Sequence, residues 1–326
     1  VTGDGRTALC VLGVGLIGGS LLRAADAAGY DVWGFNRSAA GADAARADGF
    51  DVTVDPVAAL ERAAATDALI TVAVPMPAVD SVLATVAATA PDCALTDVVS
   101  VKAPVAEAVR RHGLTENYVG GHPMAGTASS GWSATDPDLF RGAAWAVGVD
   151  EGTRPGPWTR VVRLALDCGS VVVPVVAEEH DRAVARISHL PHVLAEALAL
   201  SGAGGGALAL GLAAGSFRDG TRVAATAPEL VRAICEPNSA ALLEVLDETL
   251  SVLSMARDTL AADGSLAELA ATGHAARTSY ESARRWEITD IEPGRDDWLA
   301  RLREAGRRGG VIGRLPADQI RSANPG

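Results

Sequence analysis

Through the first half of the chain, short continuous apolar runs alternate with stretches whose apolar residues recur every three or four positions. The runs at 8–13, 31–35, 51–54, 69–74, 94–98, 118–121, 143–149 and 170–174 predict strands, and the periodic stretches, among them 16–28, 39–48 and 158–168, predict helices. This alternation predicts an α/β fold with a doubly wound, mostly parallel sheet whose ligands sit beyond the carboxyl ends of the strands. Strand signals stop near residue 176, and Ala- and Leu-rich helices are expected at 181–201, 228–235, 239–262 and 265–286. We therefore divide the chain into residues 1–176, an all-helical domain at 177–286 and a C-terminal tail at 287–326. The helices carry more apolar surface than one small bundle hides, which predicts a homodimer formed through them.

The first strand and helix are joined by Gly13-Val14-Gly15-Leu16-Ile17-Gly18, a GxGxxG turn in the context that dinucleotide binding requires. Gly13 permits the tight turn, Gly15 lets a pyrophosphate approach the backbone, Gly18 lets helix and sheet pack, and the helix start offers N–H groups. The N-terminal sheet is thus expected to be Rossmann-type, with Gly13, Gly15, Leu16, Ile17 and Gly18 at the cofactor. An Asp or Glu that would bond the adenosine ribose is absent after the second strand, where Asn36-Arg37-Ser38 stands instead. A guanidinium there suits a 2′-phosphate, so NADP is the preferred cofactor and NAD the alternative, unless Arg37 is a solvated residue opening the next helix. Three loops are expected to open onto the nicotinamide crevice: Val74-Pro75-Met76-Pro77, Asp97 to Lys102, and the segment around His122.

Composition narrows the function. With a formal net charge of -12 over 326 residues, nucleic acid is not the expected partner. No apolar run reaches the roughly 18 residues of a membrane span, and a cytoplasmic protein is expected. Cys10, Cys93, Cys168 and Cys235 are widely spaced without a CxxC, indicating neither disulfides nor zinc. The tail from Glu287 carries seven acidic and seven basic residues, so the negative charge belongs to the rest, and a solvated appendage is favoured over an arm on a partner. Lys102 is the one lysine among 28 basic side chains.

Alcohol oxidation by a nicotinamide cofactor needs a group that accepts the hydroxyl proton, and histidine suits it. In Tyr118 to Gly131, His122 is followed by Pro123 among four glycines, which reads as an active-site loop rather than a core strand. His112 and His274 read as exposed, and His180 as a helix start. Ser188-His189-Leu190-Pro191-His192 sets two histidines on one helical face, open to a pocket lining, a core role or a metal, the last lacking a third ligand. In Phe217 to Arg222, an arginine oriented by Asp219 could hold a carboxylate, or the two could form a surface pair.

Taken together, Gly13 to Ser20, Asp97 to Lys102, His122 to Thr127, Ser188 to His192 and Phe217 to Arg222 resemble the prephenate/arogenate dehydrogenase family of tyrosine biosynthesis, over roughly residues 8–286. The resemblance implies oxidative decarboxylation of prephenate or arogenate with hydride transfer to NAD(P), giving 4-hydroxyphenylpyruvate or tyrosine. It implies His122 as the catalytic base supported by Ser100, Arg222 on the substrate carboxylate, and Ser188, His189, His192, Thr127 and Asp219 around the substrate, with no metal. Ala128-Ser129 stand where some relatives place a carboxylate, and the tail does not resemble a regulatory ACT domain. Two alternatives are a β-hydroxyacid dehydrogenase, which usually uses a lysine in its latter part where this chain has none, and a non-catalytic dinucleotide-sensing regulator.

Overall fold

The computed structural model describes residues 7–127 and 129–315, and the first apolar run, Ala8–Leu12, forms a strand (β1) in which every residue is buried. It pairs in parallel with β2 (Asp31–Phe35) on one side and, across a crossover, with a strand at Leu69–Val72 on the other. With β3 (Val52–Thr53), Leu69–Val72 as β4, β5 (Leu95–Asp97) and β6 (Tyr118–Val119), the order is β3-β2-β1-β4-β5-β6, parallel throughout. Five helices alternate with these strands: α1 (Leu16–Ala27), α2 (Ala39–Ala47), α3 (Pro56–Thr66), α4 (Met76–Thr89) and α5 (Ala103–Arg111). Two buried apolar clusters contain alternate β1 residues: Leu9 and Val11 in one, Cys10 and Leu12 in the other. This is the doubly wound, Rossmann-type sheet read from the sequence, and the continuous apolar runs reflect burial on both faces.

One expected strand is two. The run at 118–121 ends its pairing with β5 at Val119, and Gly121–Pro123 (β7) joins a second sheet with β8 (Ala144–Gly148) and β9 (Val171–Val175). Strand β7 runs antiparallel to β8, with His122 opposite Ala146, and β8 is parallel to β9. The transfer depends on glycine: a Cβ on Gly121 would stand 2.6 Å from the Asp97 carbonyl oxygen and 3.1 Å from Trp145 Nε1. His122 therefore lies in a strand, not in the loop expected for it, because the glycines before it bring β7 against the end of β5.

Helix α6 (Pro155–Asp167) precedes β9, and α7 (Ala177–Val184) follows it. The chain forms two units, one running up to His180 and resuming at Trp286, the other spanning Asp181–Arg285. The second unit has, after a π-helical turn at Ala185–His189, α8 (Leu190–Gly204), α9 (Gly206–Gly211), α10 (Gly215–Thr221), α11 (Pro228–Cys235), α12 (Ser239–Asp263) and α13 (Ala267–Ser282). Its helices leave large apolar side chains exposed, including Leu200, Leu208, Leu212, Leu253 and Met255. Among the described residues, no helix is long and apolar enough to cross a membrane.

The tail is not a solvated appendage. After β10 (Trp286–Glu287), helix α14 (Trp298–Arg307) lies so close to β9 that a Cβ on Gly306 would stand 2.0 Å from the Pro174 carbonyl oxygen. Trp298 packs edge-on against Trp158 with ring centroids 5.3 Å apart, and Leu302, Ile312 and Leu315 join the same core. Beyond β11 (Gly310–Val311), Ile312 exchanges backbone hydrogen bonds with Val172, extending the second sheet. The balanced charge of the tail as a whole, with arginines and a glutamate interleaved along α14, hid this apolar face in the composition. Residues 316–326 of the expected tail lie outside the described residues.

Where the two sheets meet, the buried Lys102 ammonium pairs with the fully buried Asp97 carboxylate and donates to the Gly121 carbonyl at 2.6 Å. Tyr118 Oη donates to the other Asp97 oxygen at 2.6 Å, and the Val99 N–H to the first at 2.8 Å. The segment at 97–102 is accordingly packed inside, rather than forming an open loop, with Ser100 half-buried within it. Removing one partner of such a pair strands a buried charge, at a cost of about 3–5 kcal/mol. Asp97→Asn and Lys102→Met are each expected to lower unfolding free energy by about that much in urea titrations, and the double variant by less than their sum; additive losses would mean that the two charges do not depend on each other.

Candidate functional site

The glycine turn is built by steric necessity. Gly13 has φ +106°, and a Cβ there would stand 2.6 Å from the Ala73 carbonyl oxygen; one on Gly18 would fall 1.9 Å from the Gly13 carbonyl oxygen. Gly15 differs, because a Cβ on it would meet no atom within 4 Å. Gly15 is also the N-cap of α1, whose first turn has neither a capping side chain nor an acidic residue. Open space above a helix start with uncapped N–H groups fits a pyrophosphate, so these residues are able to hold a dinucleotide. Leu16 and Ile17 are half-buried in the first turn; Val74 packs beside Gly13, and Pro75 is the exposed N-cap of α4.

At the end of β2, Asn36 folds inward: its Oδ1 accepts from the Val14 N–H at 3.4 Å and its Nδ2 donates to the Ser38 carbonyl at 3.1 Å. Ser38 caps α2, leaving Arg37 exposed between them. Gly19 and Ser20 have a separate task. The 3-10 turn at Trp132–Ala134 packs on α1, where a Cβ on Gly19 would lie 2.5 Å from Thr135, while Ser20 Oγ accepts the Asp136 N–H at 3.0 Å. The chain beyond His122 is thereby pinned to the helix that begins at the glycine turn. Within it Thr127 is exposed and its Oγ1 accepts the Ser129 N–H at 3.2 Å; Ala128 lies outside the described residues.

His122 is half-buried, and its Nδ1 lies 2.9 Å from Nε2 of His180, with ring centroids 5.1 Å apart and planes at 71°. One nitrogen must donate and the other accept, so the contact couples the proton positions of the two rings. His180 is 3% exposed on the first turn of α7. Sequence reasoning set it aside as a helix start, and no local signal marked it: the pairing joins strand and helix residues 58 positions apart. His112, expected to be exposed, is half-buried and meets Asp80.

In the second unit, His189 is 1% exposed, and its Nδ1 accepts from Asn238 Nδ2 at 3.2 Å; the same amide donates to the Asp181 carbonyl at 2.7 Å. His192 is half-buried and donates from Nδ1 to the Ser188 carbonyl at 2.8 Å, which leaves its acceptor nitrogen at Nε2. The two histidines thus differ in burial and partner, the π-helical turn at 185–189 giving way to α8 between them. Arg222 is exposed and opens a 3-10 turn after α10, whereas Asp219 is exposed within α10. No ion pair joins them among the described residues, because the α-helical spacing that would align them ends at Thr221. The expected orienting role of Asp219 is therefore not realised by such a pair.

Two other features lack the chemistry of a reaction centre. A cavity of about 1150 Å³ opens near the amino ends of the parallel strands, but its polar lining is largely paired: Arg160 with Asp67, Tyr30 with Asp167, Asp290 with Arg301. The four cysteines are buried, and desolvation pushes the thiols of Cys10 and Cys168 up to about 12 and raises those of Cys93 and Cys235. None supplies a thiolate near neutrality.

Comparison with known proteins finds two adjoining family models. The one described as prephenate dehydrogenase, nucleotide-binding domain, matches residues 21–174, and that described as prephenate dehydrogenase, dimerization domain, matches 176–272. The chain is 33% identical over 262 residues to the cyclohexadienyl dehydrogenase of Zymomonas mobilis, covering 78% of this chain and 88% of that protein. Its structure is similar to that of a candidate prephenate dehydrogenase from Corynebacterium glutamicum, with TM-score 0.89, 48% identity and coverage of 94% of this chain and 98% of the other. It is also similar to Synechocystis arogenate dehydrogenase, with TM-score 0.74, 28% identity and coverage of 84% and 100%.

The glycine geometry separates folding from binding. Gly15→Ala is expected to cost about 1 kcal/mol or less as a change of N-cap, yet to weaken dinucleotide binding about tenfold or more in fluorescence titration. Gly18→Ala should lower the melting temperature or prevent folding. A Gly15→Ala protein that binds normally would exclude this turn as the pyrophosphate cradle.

Proposed function

The chain belongs to the prephenate dehydrogenase family, and on that premise we propose that it oxidises a cyclohexadienol, prephenate or arogenate, with loss of the ring carboxylate, in tyrosine biosynthesis. The family carries a nucleotide-binding domain, and the cofactor is a nicotinamide dinucleotide. Held at the glycine turn, the dinucleotide would supply the acceptor for the hydride of the ring carbinol carbon. Once that carbon is a ketone, the substrate carboxylate belongs to a vinylogous β-keto acid, and its departure as CO₂ leaves an aromatic ring.

The tasks left to the protein are alignment and proton transfer. His122 receives the hydroxyl proton, and the observation that supports this is its half-buried imidazole with one nitrogen engaged by His180 at 2.9 Å. A positioned base of this kind contributes roughly 10²–10⁴-fold. Ser100 assists it at the hydroxyl. Arg222, exposed and without an ion pair among the described residues, is assigned to the substrate carboxylate; Ser188, His192 and Thr127 are assigned to substrate binding, His189 holds its segment through Asn238, and Asp219 contributes charge.

For the cofactor, NADP is the favoured form over NAD, supported by the exposed Arg37 between Asn36 and Ser38 and by the lack of a carboxylate there to repel a 2′-phosphate. A homodimer formed through the helical unit is the proposed assembly, supported by its exposed leucines and by the dimerization-domain match. Sedimentation finding only monomer at micromolar concentration would remove it.

The central test follows NADPH and NADH formation with prephenate, arogenate and a simple β-hydroxyacid. Turnover of at least one cyclohexadienol is expected, and turnover of neither would overturn the reading. His122→Asn is expected to lose about 10²-fold or more in kcat with dinucleotide affinity kept, and Arg222→Ala chiefly to raise KM; the reverse pattern would reject both roles. In the same assay Arg37→Ala should weaken NADP far more than NAD. Equal effects would mean that Arg37 does not contact the phosphate.

A further inference from the structure

The contact between His122 Nδ1 and His180 Nε2, at 2.9 Å, admits two arrangements for neutral rings. In one, His122 carries its proton on Nδ1 and donates it to His180. In the other, His180 donates, and the His122 proton sits on Nε2. The first leaves the in-plane lone pair of His122 on Nε2, where a proton can be taken; the second puts a proton on that atom and removes its basicity. If His122 acts as base through Nε2, the first arrangement is required.

We propose that His180 is a positioning residue that holds the His122 imidazole in its Nδ1–H tautomer, so that the substrate hydroxyl proton is received at Nε2. The inference rests on the proposed role of His122 and adds the group that makes that role chemically available. In the step, the substrate O–H bond breaks and a new N–H bond forms at Nε2, giving a His122 cation. The Nδ1 proton stays between the two rings, and the electron pair released on oxygen forms the carbonyl as hydride leaves the carbinol carbon for the dinucleotide. No other co-reactant is required.

Packing gives His180 the rigidity that this task needs. It is buried on α7, with its backbone N–H bonded to the Val176 carbonyl at 2.9 Å, and the start of the helix is held by Asp150, whose Oδ1 accepts the Ala177 N–H at 2.9 Å. On the other side, the His122 backbone is fixed by the pairing of β7 with β8 and by the Lys102 contact to the preceding Gly121 carbonyl. Backbone anchoring by itself fixes neither the tautomer of a ring nor its rotation about χ2. The partner imidazole at Nδ1 restrains both, as partners of metal-bound histidines do.

Long-range ¹⁵N–¹H spectra of the full-length protein, labelled at histidine and assigned by a His122→Asn variant, read the tautomer directly. The native protein is expected to show His122 protonated on Nδ1. His180→Gln, whose side-chain oxygen accepts the same proton, should retain that pattern and most of kcat. His180→Leu should shift the proton to Nε2 and lower kcat about 10–100-fold, with KM and dinucleotide affinity within about twofold of native. A native His122 protonated on Nε2, a leucine variant with unchanged kcat, or glutamine and leucine variants equally impaired would each overturn the assignment. The native and glutamine spectra decide the matter if the leucine variant does not fold. Should the native protein turn over neither cyclohexadienol, the proposed reaction fails, and the spectrum alone then decides the role of His180.

Discussion

A buried ammonium is tolerated only when its charge is matched and its hydrogens are satisfied, and the arrangement around Lys102 meets both demands at the junction of two sheets. Its ammonium pairs with Asp97 at the end of β5 and donates to the Gly121 carbonyl at the start of β7. Such a pair adds little net stability over an apolar packing of equal volume, because desolvation offsets most of the attraction. What it fixes is geometry: the residue after the bonded carbonyl is His122. The only lysine of the chain is therefore part of the frame that sets the position of the histidine, a role that composition could not reveal, because a single lysine in so Arg-biased a chain could be chance.

The glycines make the complementary restriction. At Gly13, Gly18, Gly19 and Gly121 another atom already occupies the space of a side chain, so these positions are closed to any larger residue. Gly15 alone in the turn faces open space. One motif thus holds two kinds of glycine, those that let protein pack on protein and one that leaves room for a ligand. The tail contributes to the same unit by packing Trp298 on Trp158 and by adding Ile312 to the second sheet, which carries His122.

The helical unit follows a different logic. Its surface carries leucines that a solitary bundle would bury, and among the described residues no ion pair joins Asp219 to Arg222. Within the unit the buried Asn238 ties His189 to the chain at Asp181. A π-helical turn at this place is consistent with backbone adjusted to side-chain demands, as such turns often are at functional sites.

Periodicity and the glycine spacing were enough to determine the parallel sheet, its succession with the helical region and the tight glycine turn between β1 and α1, because each depends on residues near one another in sequence. The same local signals foretold α11 to the residue and most of β1 and β2. Four things were decided only by tertiary structure. The strand at 118–121 divides because Gly121 must pass the Asp97 carbonyl; the tail joins the core because Trp158 stands opposite Trp298; Asp219 and Arg222 form no ion pair because a helix ends between them; and His180 meets His122 because α7 follows directly on β9 of the second sheet, which also carries His122 and which the alternation did not disclose. All but the Asp219–Arg222 separation are contacts between distant segments. A linear pattern specifies which faces must be buried, but only the folded chain specifies what they are buried against.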